Sequence, residues 1–175
     1  NFNVLGLSRS KEIKFFFSKY YYNKNLKNFK FKQINLKNNK TIIKTIDKYR
    51  PDYIINYSAQ SMVSESWQSP LDWYNTNVID TISLVEKLKK KEYLKKYIHF
   101  STPEVYGSTN QSIKEKNIFN PSTPYAISRV TSDFHINLMR KEFNFPSIIT
   151  RTSNVYGEYQ NIYRIIPITI LKILK

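Results

Sequence analysis

Four residues in one stretch have the types and spacing needed for proton chemistry on an alcohol. Thr102 and Glu104 stand two apart, just beyond the apolar run Tyr97-Ile98-His99-Phe100. Tyr125 and Arg129 stand four apart, after the turn Asn120-Pro121-Ser122-Thr123-Pro124. A phenol beside a fixed cation has its phenolate favoured, so the Tyr125 pKa is expected to fall towards what a general base near neutral pH requires. A threonine hydroxyl can share the same substrate oxygen. A nearby carboxylate adds a second base or acid.

These side chains need a strand and a helix to hold them. The run at 97–100 fits a buried strand that ends abruptly in Ser101, Thr102 and Glu104, and in open α/β sheets ligands gather beyond the carboxyl ends of strands. The hydroxyls of the 120–124 turn can cap a helix from 125 to about 143. Tyr125 and Arg129 then lie one turn apart on one face. The rest of the chain alternates in the same way. Strands are expected at Val4-Leu5-Gly6-Leu7, 29–34, 53–57 and 147–151. Helices are expected over 41–49, stopped by Pro51, over 71–91, and from Tyr163 onwards. Over 71–91, Val78, Ile82, Val85 and Leu88 form the apolar face, and the polar Asn77 among them needs a buried partner. Such alternation predicts an α/β fold with a doubly wound parallel sheet, one partial domain spanning 1–175.

Composition narrows the function classes. Without cysteine there is neither a disulfide framework nor a thiolate metal site, and the two histidines, His99 and His135, fall on different elements, so no metal is expected. No apolar run approaches the ~20 residues that cross a bilayer. A soluble, cytoplasmic protein is expected. The net charge of +15 would suit a polyanion, but the lysines are spread along the whole chain with Asn, Ile and Tyr, which reads as compositional bias. Neither a nucleic-acid nor a membrane partner is expected. The chain opens without a leader or an initiator Met, as a fragment would.

The residues Ser101-Thr102-Pro103-Glu104-Val105-Tyr106-Gly107, Pro124-Tyr125-Ala126-Ile127-Ser128-Arg129 and Thr150-Arg151-Thr152-Ser153-Asn154-Val155-Tyr156-Gly157 resemble the extended short-chain dehydrogenase/reductase family, and within it the nucleotide-sugar 4,6-dehydratases. The likeness runs from about Val4 to Ile170. It implies a Rossmann-like domain with Thr102, Glu104, Tyr125 and Arg129 as catalytic residues. Arg129 stands where the family has Lys, and a planar guanidinium is not equivalent to an ammonium. A strict Tyr-x-x-x-Lys occurs at Tyr20 and Lys24, but no strand-end Ser or Thr precedes it, and chance explains it in a chain with 14 tyrosines.

The resemblance also implies a cofactor shelf. In dinucleotide folds the residues closing the second strand read the adenosine ribose, and Ser8-Arg9 favours NADP over NAD, unless Arg9 is an ordinary surface cation. Asn35 and Leu36 correspond to the adenine contacts, with Asn35 in place of the usual Asp. Ser58, Ala59 and Gln60 correspond to the segment along the nicotinamide ribose; read locally, they are equally a strand-to-helix turn. Asn77 matches a family Asn that ties its helix to the catalytic strand and the cofactor. Ser61, Val63, Thr102, Asn154 and Arg164 correspond to substrate-binding positions for a nucleoside-diphosphate sugar. The chain has three glycines and no G-x-G-x-x-G, so the first βα unit with its phosphate loop is expected upstream of Asn1. The C-terminal substrate-binding part is expected beyond Lys175, and the fragment alone should bind dinucleotide poorly. A homodimer through the 71–91 and 125–143 helices is implied by resemblance alone.

Three activities remain open. In a 4,6-dehydratase, Tyr125 and Thr102 would take the proton from the sugar 4-hydroxyl and Glu104 the proton on carbon 5. Many family members have Asp where this chain has Pro103, which offers no proton, leaving Glu104 to serve as both base and acid. A 4-epimerase or uronate decarboxylase would use the same Thr, Tyr and cation. A relative that binds nucleotide sugar without turnover is the third reading, motivated by Pro103 and Arg129.

Overall fold

The structure, a computed structural model, describes residues 2–12, 26–115 and 118–174. Tyr20 and Lys24 lie outside the described residues. The chain divides into two compact units, Asn1–Gln33 with Asn154–Lys175, and Ile34–Ser153.

In the first unit, β1 (Val4–Ser8) pairs in parallel with β2 (Phe29–Gln33), Val4 opposite Phe29 and Ser8 opposite Gln33. Beyond β1 the Ser8 hydroxyl accepts from the Ser10 backbone N–H at 3.2 Å, and the Arg9 carbonyl accepts from Gln33 Nε2 at 3.0 Å. The strand end is thus tied back to its neighbour. The unit also holds α5 (Ile165–Ile173).

The second unit carries a parallel sheet in the order β3 (Tyr53–Asn56), β4 (Lys96–Ser101), β5 (Ser147–Arg151). α1 (Asn39–Tyr49) begins at Asn38, whose side chain accepts from the Thr41 N–H, and ends at Arg50 in the left-handed region (φ 47°), just before Pro51. Next comes one continuous helical rod: α2 (Pro70–Trp73), a π turn (Tyr74–Asp80) and α3 (Thr81–Leu88). α4 (Pro124–Phe143) starts at Thr123, whose hydroxyl accepts from the Ala126 N–H at 3.0 Å, with Pro124 in the first turn.

The core lies between one sheet face and these helices. It gathers Ile42 and Ile46 of α1, Leu84, Val85 and Leu88 of α3, Tyr97 of β4, and Ile136 and Met139 of α4. Burying each such side chain is worth about 1.5–3 kcal/mol. On the opposite face Tyr53, Ile55 and Ile148 are each more than 40% exposed.

The rod departs from the 71–91 helix expected from the sequence. Its buried stripe is Trp73, Asn77, Thr81, Leu84, Val85 and Leu88, while Val78 and Ile82 are only half-buried. The π turn adds a residue to the helical repeat, so the inward face passes through positions four apart, two of them polar.

β4 has an unexpected polarity. Its buried positions are Tyr97, His99 and Ser101, whereas Ile98 and Phe100 on the other face are half-buried. The face that looks towards α4 is therefore a polar one. After β4 the chain passes through a short 3-10 turn (Pro103–Tyr106) into Gly107, held at φ 76°. A Cβ there would stand 2.2 Å from the backbone oxygen of Asn120, whose N–H donates to the Val105 carbonyl at 3.0 Å. Gly107→Ala is expected to lower stability by about 1–3 kcal/mol through the strained backbone conformation alone, measured by urea unfolding.

Candidate active site

The end of β4 and the start of α4 bring the first set of residues together. Thr102 follows the strand in extended backbone and caps the 3-10 turn, its Oγ1 accepting from the Glu104 N–H at 3.3 Å. The same hydroxyl acts on the Tyr125 phenol, pulling its pKa downward. Thr102 and Tyr125 are buried, while Glu104 is exposed on a cavity of about 410 Å³, where Tyr106, Gly107, Thr109 and Arg151 also stand. That volume falls in the range of small-molecule sites.

The electrostatics differ from the expected lowering of the Tyr125 pKa. Burial raises it above the ordinary phenol value, outweighing the downward pull of Arg129 and of the Thr102 hydrogen bond, and the Glu104 and Asp133 charges push it further up. The i, i+4 spacing supplies the cation correctly, but spacing carries no information on desolvation. Burial also raises the Glu104 carboxyl, which makes it a stronger base once ionised.

Arg129 is 2% exposed and lies against β4. Its Nη2 donates to the Phe100 carbonyl and lies 3.2 Å from His99 Nε2. Its Nε and Nη1 are buried with no hydrogen-bond partner among the described residues. Next to it on the same helix face is Asp133, whose side chain is fully buried. Asp133 Oδ2 accepts from Ser101 Oγ (2.8 Å), Arg151 Nε (3.2 Å) and Arg151 Nη2 (2.9 Å). Arg151 in turn stacks on the rings of Tyr106 and Phe119.

The segment after β3 is held by Asn77. Its Oδ1 accepts from the Gln60 N–H at 2.8 Å, and its Nδ2 donates to the Gln60 carbonyl at 3.0 Å and to Ser128 Oγ at 2.9 Å. Ser132 Oγ donates to the Asn77 carbonyl. The rod is thereby fastened to the 58–63 segment and to α4. At the head of that segment, Asn56 Oδ1 accepts from the Ser58 N–H at 3.0 Å and from its hydroxyl. Ser61 follows exposed and Val63 half-buried. Asn35 lies at the exposed turn before α1, its side chain accepting from the Lys37 N–H at 3.0 Å, with Leu36 packed against the core.

Ser8, Arg9, Asn154 and Arg164 belong to the first unit, where Asn154 is exposed and Arg164 stands at the start of α5 with its guanidinium 5.5 Å from the Tyr163 ring centroid. His99, Ser101, Ser128, Asp133 and Arg151 are the residues that sequence reasoning missed. The available signal was the run Tyr125, Arg129, Asp133 at i, i+4, i+8, which sets three ionisable groups on one helix face. Among the described residues no group of His, Asp and Glu is arranged to hold a metal, and no helix is long and apolar enough to cross a membrane.

Known proteins resemble the chain in sequence and in fold. The chain is 34% identical over 152 residues to a dTDP-D-glucose 4,6-dehydratase of Dictyostelium discoideum, covering 80% of this chain and 35% of that protein. The structure of a dTDP-glucose 4,6-dehydratase from Bacillus anthracis in complex with NAD superposes with a TM-score of 0.78 at 27% identity, over 97% of this chain and 52% of that one. A UDP-glucuronic acid 4-epimerase from Bacillus cereus, solved with UDP-glucuronic acid and NAD, matches in fold with a TM-score of 0.81 at 24% identity, over 98% of this chain and 55% of the other. The chain thus spans about a third to a half of its relatives' length. A family model described as GDP-mannose 4,6 dehydratase matches residues 2–175. With its Rossmann-like parallel strands and this match over nearly its whole length, the chain belongs to that family, within the extended short-chain dehydrogenases/reductases.

Proposed function

We propose that the whole protein containing this chain is a nucleotide-sugar 4,6-dehydratase. The observation that carries this reading is the convergence of Tyr125, Thr102 and Glu104 at the carboxyl end of β4, with Arg129 acting on the phenol from the next helical turn. Tyr125, steadied by Thr102, accepts the proton of the sugar 4-hydroxyl as carbon 4 is oxidised. A nicotinamide dinucleotide, when bound, would supply the hydride acceptor for that oxidation and the hydride needed at carbon 6. The ketone at carbon 4 acidifies carbon 5, and Glu104 takes that proton. Because Pro103 has no proton to give, Glu104 also delivers one to the departing 6-hydroxyl.

The buried, unpartnered Nε and Nη1 of Arg129 suit ribose hydroxyls, and the Gln60 backbone pinned by Asn77 suits a close approach. In this reading Ser58, Ala59, Gln60, Asn77, Tyr125 and Arg129 hold the nicotinamide end, Asn35 and Leu36 the adenine, and Ser8 and Arg9 the adenosine ribose. The Ser8-Arg9 ending favours NADP, although both solved relatives described above carry NAD. Ser61, Val63, Thr102, Asn154 and Arg164 are assigned to the nucleoside-diphosphate sugar. A homodimer is part of the proposal: Ile79 on the rod and Ile127, Phe134 and Leu138 along one face of α4 are all more than 40% exposed, an apolar surface that a second copy would cover. The cytoplasm is the proposed compartment.

The test is the whole protein incubated with NADP or NAD and a panel of GDP-, dTDP-, CDP- and UDP-hexoses, with products read by mass spectrometry. Loss of one water without net consumption of cofactor is the expected result, abolished in Glu104→Gln. The fold shared with the B. cereus epimerase supports a second reading, a 4-epimerase or uronate decarboxylase. An isomer at unchanged mass, or loss of carbon dioxide, would replace the dehydratase with one of these. No product from any donor would favour an inactive nucleotide-sugar-binding relative.

A further inference from the structure

An arginine in the place of the family's lysine creates a geometric requirement. An ammonium can turn its three N–H groups to whatever acceptors are near, but a guanidinium presents a rigid planar fork and must be held in the right plane. Arg129 has its Nη2 anchored on β4, by the Phe100 carbonyl and by His99 Nε2 at 3.2 Å. The second acceptor is chemically particular. A guanidinium only donates, so the ring nitrogen facing it must be bare, and the single proton of a neutral imidazole must then sit on Nδ1. Burial pulls the His99 pKa down to about 3, which keeps the ring neutral at working pH. Nδ1 itself is buried without a partner among the described residues, so no other hydrogen bond selects this tautomer.

The surroundings leave little else to steer the fork. Asp133 is committed at Oδ2 to Ser101 and Arg151, and its Oδ1 lies 3.9 Å from His99 Nε2. Tyr97 packs beside the imidazole with its hydroxyl taken by Asn56 Nδ2 at 2.8 Å. Tyr125 is the group whose charge acts most strongly on Arg129 once burial is set aside, and Glu104 acts on Tyr125 from the adjoining turn.

We propose that His99 is a positioning residue for catalysis. Through a bare Nε2 it fixes the plane of the Arg129 guanidinium beside Tyr125 and so allows an arginine to do the work of the family's lysine. The kinetic consequence rests on the function proposed above, with Tyr125 as base; the structural one does not. Because His99 acts through Arg129, its importance is conditional on that residue.

The kinetic test follows kcat against pH in the whole protein. In His99→Leu the fork keeps the Phe100 carbonyl but loses its second acceptor, and with it the fixed plane. kcat is expected to fall about 10–100-fold with little change in KM for the sugar nucleotide, and the ascending limb, which reports deprotonation of Tyr125, to move to higher pH. His99→Asn, whose amide oxygen can accept, should restore the wild-type limb. In an Arg129→Lys background, His99→Leu should leave the limb where Arg129→Lys alone puts it. A limb unmoved in His99→Leu, or moved equally in both backgrounds, overturns the proposal. An independent test needs no turnover. In protein labelled with 15N-histidine, the His99 resonances, identified by their loss in His99→Asn, should report protonated Nδ1 and bare Nε2, and Nε2 should shift in Arg129→Met. Protonated Nε2, or no response to Arg129→Met, rejects the pairing even if every sugar nucleotide proves inert.

Discussion

Tyr125→Phe is expected to reduce turnover of the whole protein about 10²–10⁴-fold, the range attributed to a positioned general base. The change removes one oxygen. The ring stays 9% exposed at the head of α4, and the helix start is capped independently by Thr123, so unfolding by urea should be nearly unchanged while product formation collapses. The pH dependence has a definite sign. Burial, the largest influence, holds the phenol above its ordinary value, and the reactive form is the phenolate. The wild-type rate should therefore climb with pH through neutrality, and Thr102→Val, which removes a hydrogen bond that lowers the phenol, should push the climb to higher pH. A rate that falls across that range, or a Tyr125→Phe enzyme of normal speed, would remove Tyr125 from the chemistry.

Asp133→Ala is expected to cost about 3–5 kcal/mol of stability, because it breaks a buried ion pair on one side only. Ser101 loses its acceptor, Arg151 its carboxylate, and the buried Arg129 the nearest compensating charge on its own helix. Shifts in urea midpoint measure this directly. Burial nevertheless raises the Asp133 carboxyl by more than Ser101, Arg151 and Arg129 lower it. A folded value above the unfolded 3.8 means that the protonated form is the one the fold prefers. The stabilisation from this group is thus full below the unfolded value and is lost as pH rises through the folded one. Asp133→Asn cannot titrate, so the wild type should gain on it as pH falls from about 7 to about 4. The opposite trend would mean that the attraction to Arg151 outweighs desolvation.

Much of this was legible in the residue order. Strand 97–100 and helix 125–143 are found as Lys96–Ser101 and Pro124–Phe143 because a short apolar run, Pro124 and the Thr123 cap are local signals. The Tyr125 and Arg129 pair was readable for the same reason. The register of the 70–88 rod was not. Asn77 and Thr81 on its inward face look like surface residues, and the hydrophobic pattern instead points to Val78 and Ile82. Nor was the polar layer beneath the site, because His99, Asp133 and Arg151 come from a strand, a helix and another strand, joined only by folding. Sequence separation also hides burial, which is what reverses the expected direction of the Tyr125 pKa.

The π turn has an evolutionary implication. A π turn carries one residue more than the α turn it interrupts, the footprint expected of a single inserted codon. Deleting one residue between 74 and 80 would close the rod into a plain α-helix. Leu84, Val85 and Leu88 would keep their seats in the core, while Trp73 on the far side swung about 100° around the axis. A lineage can therefore acquire or shed the Asn77 anchor in one mutational step that keeps the α3 side of the core and has only the buried Trp73 end to repack, and the scaffold and its site are free to diverge at different rates.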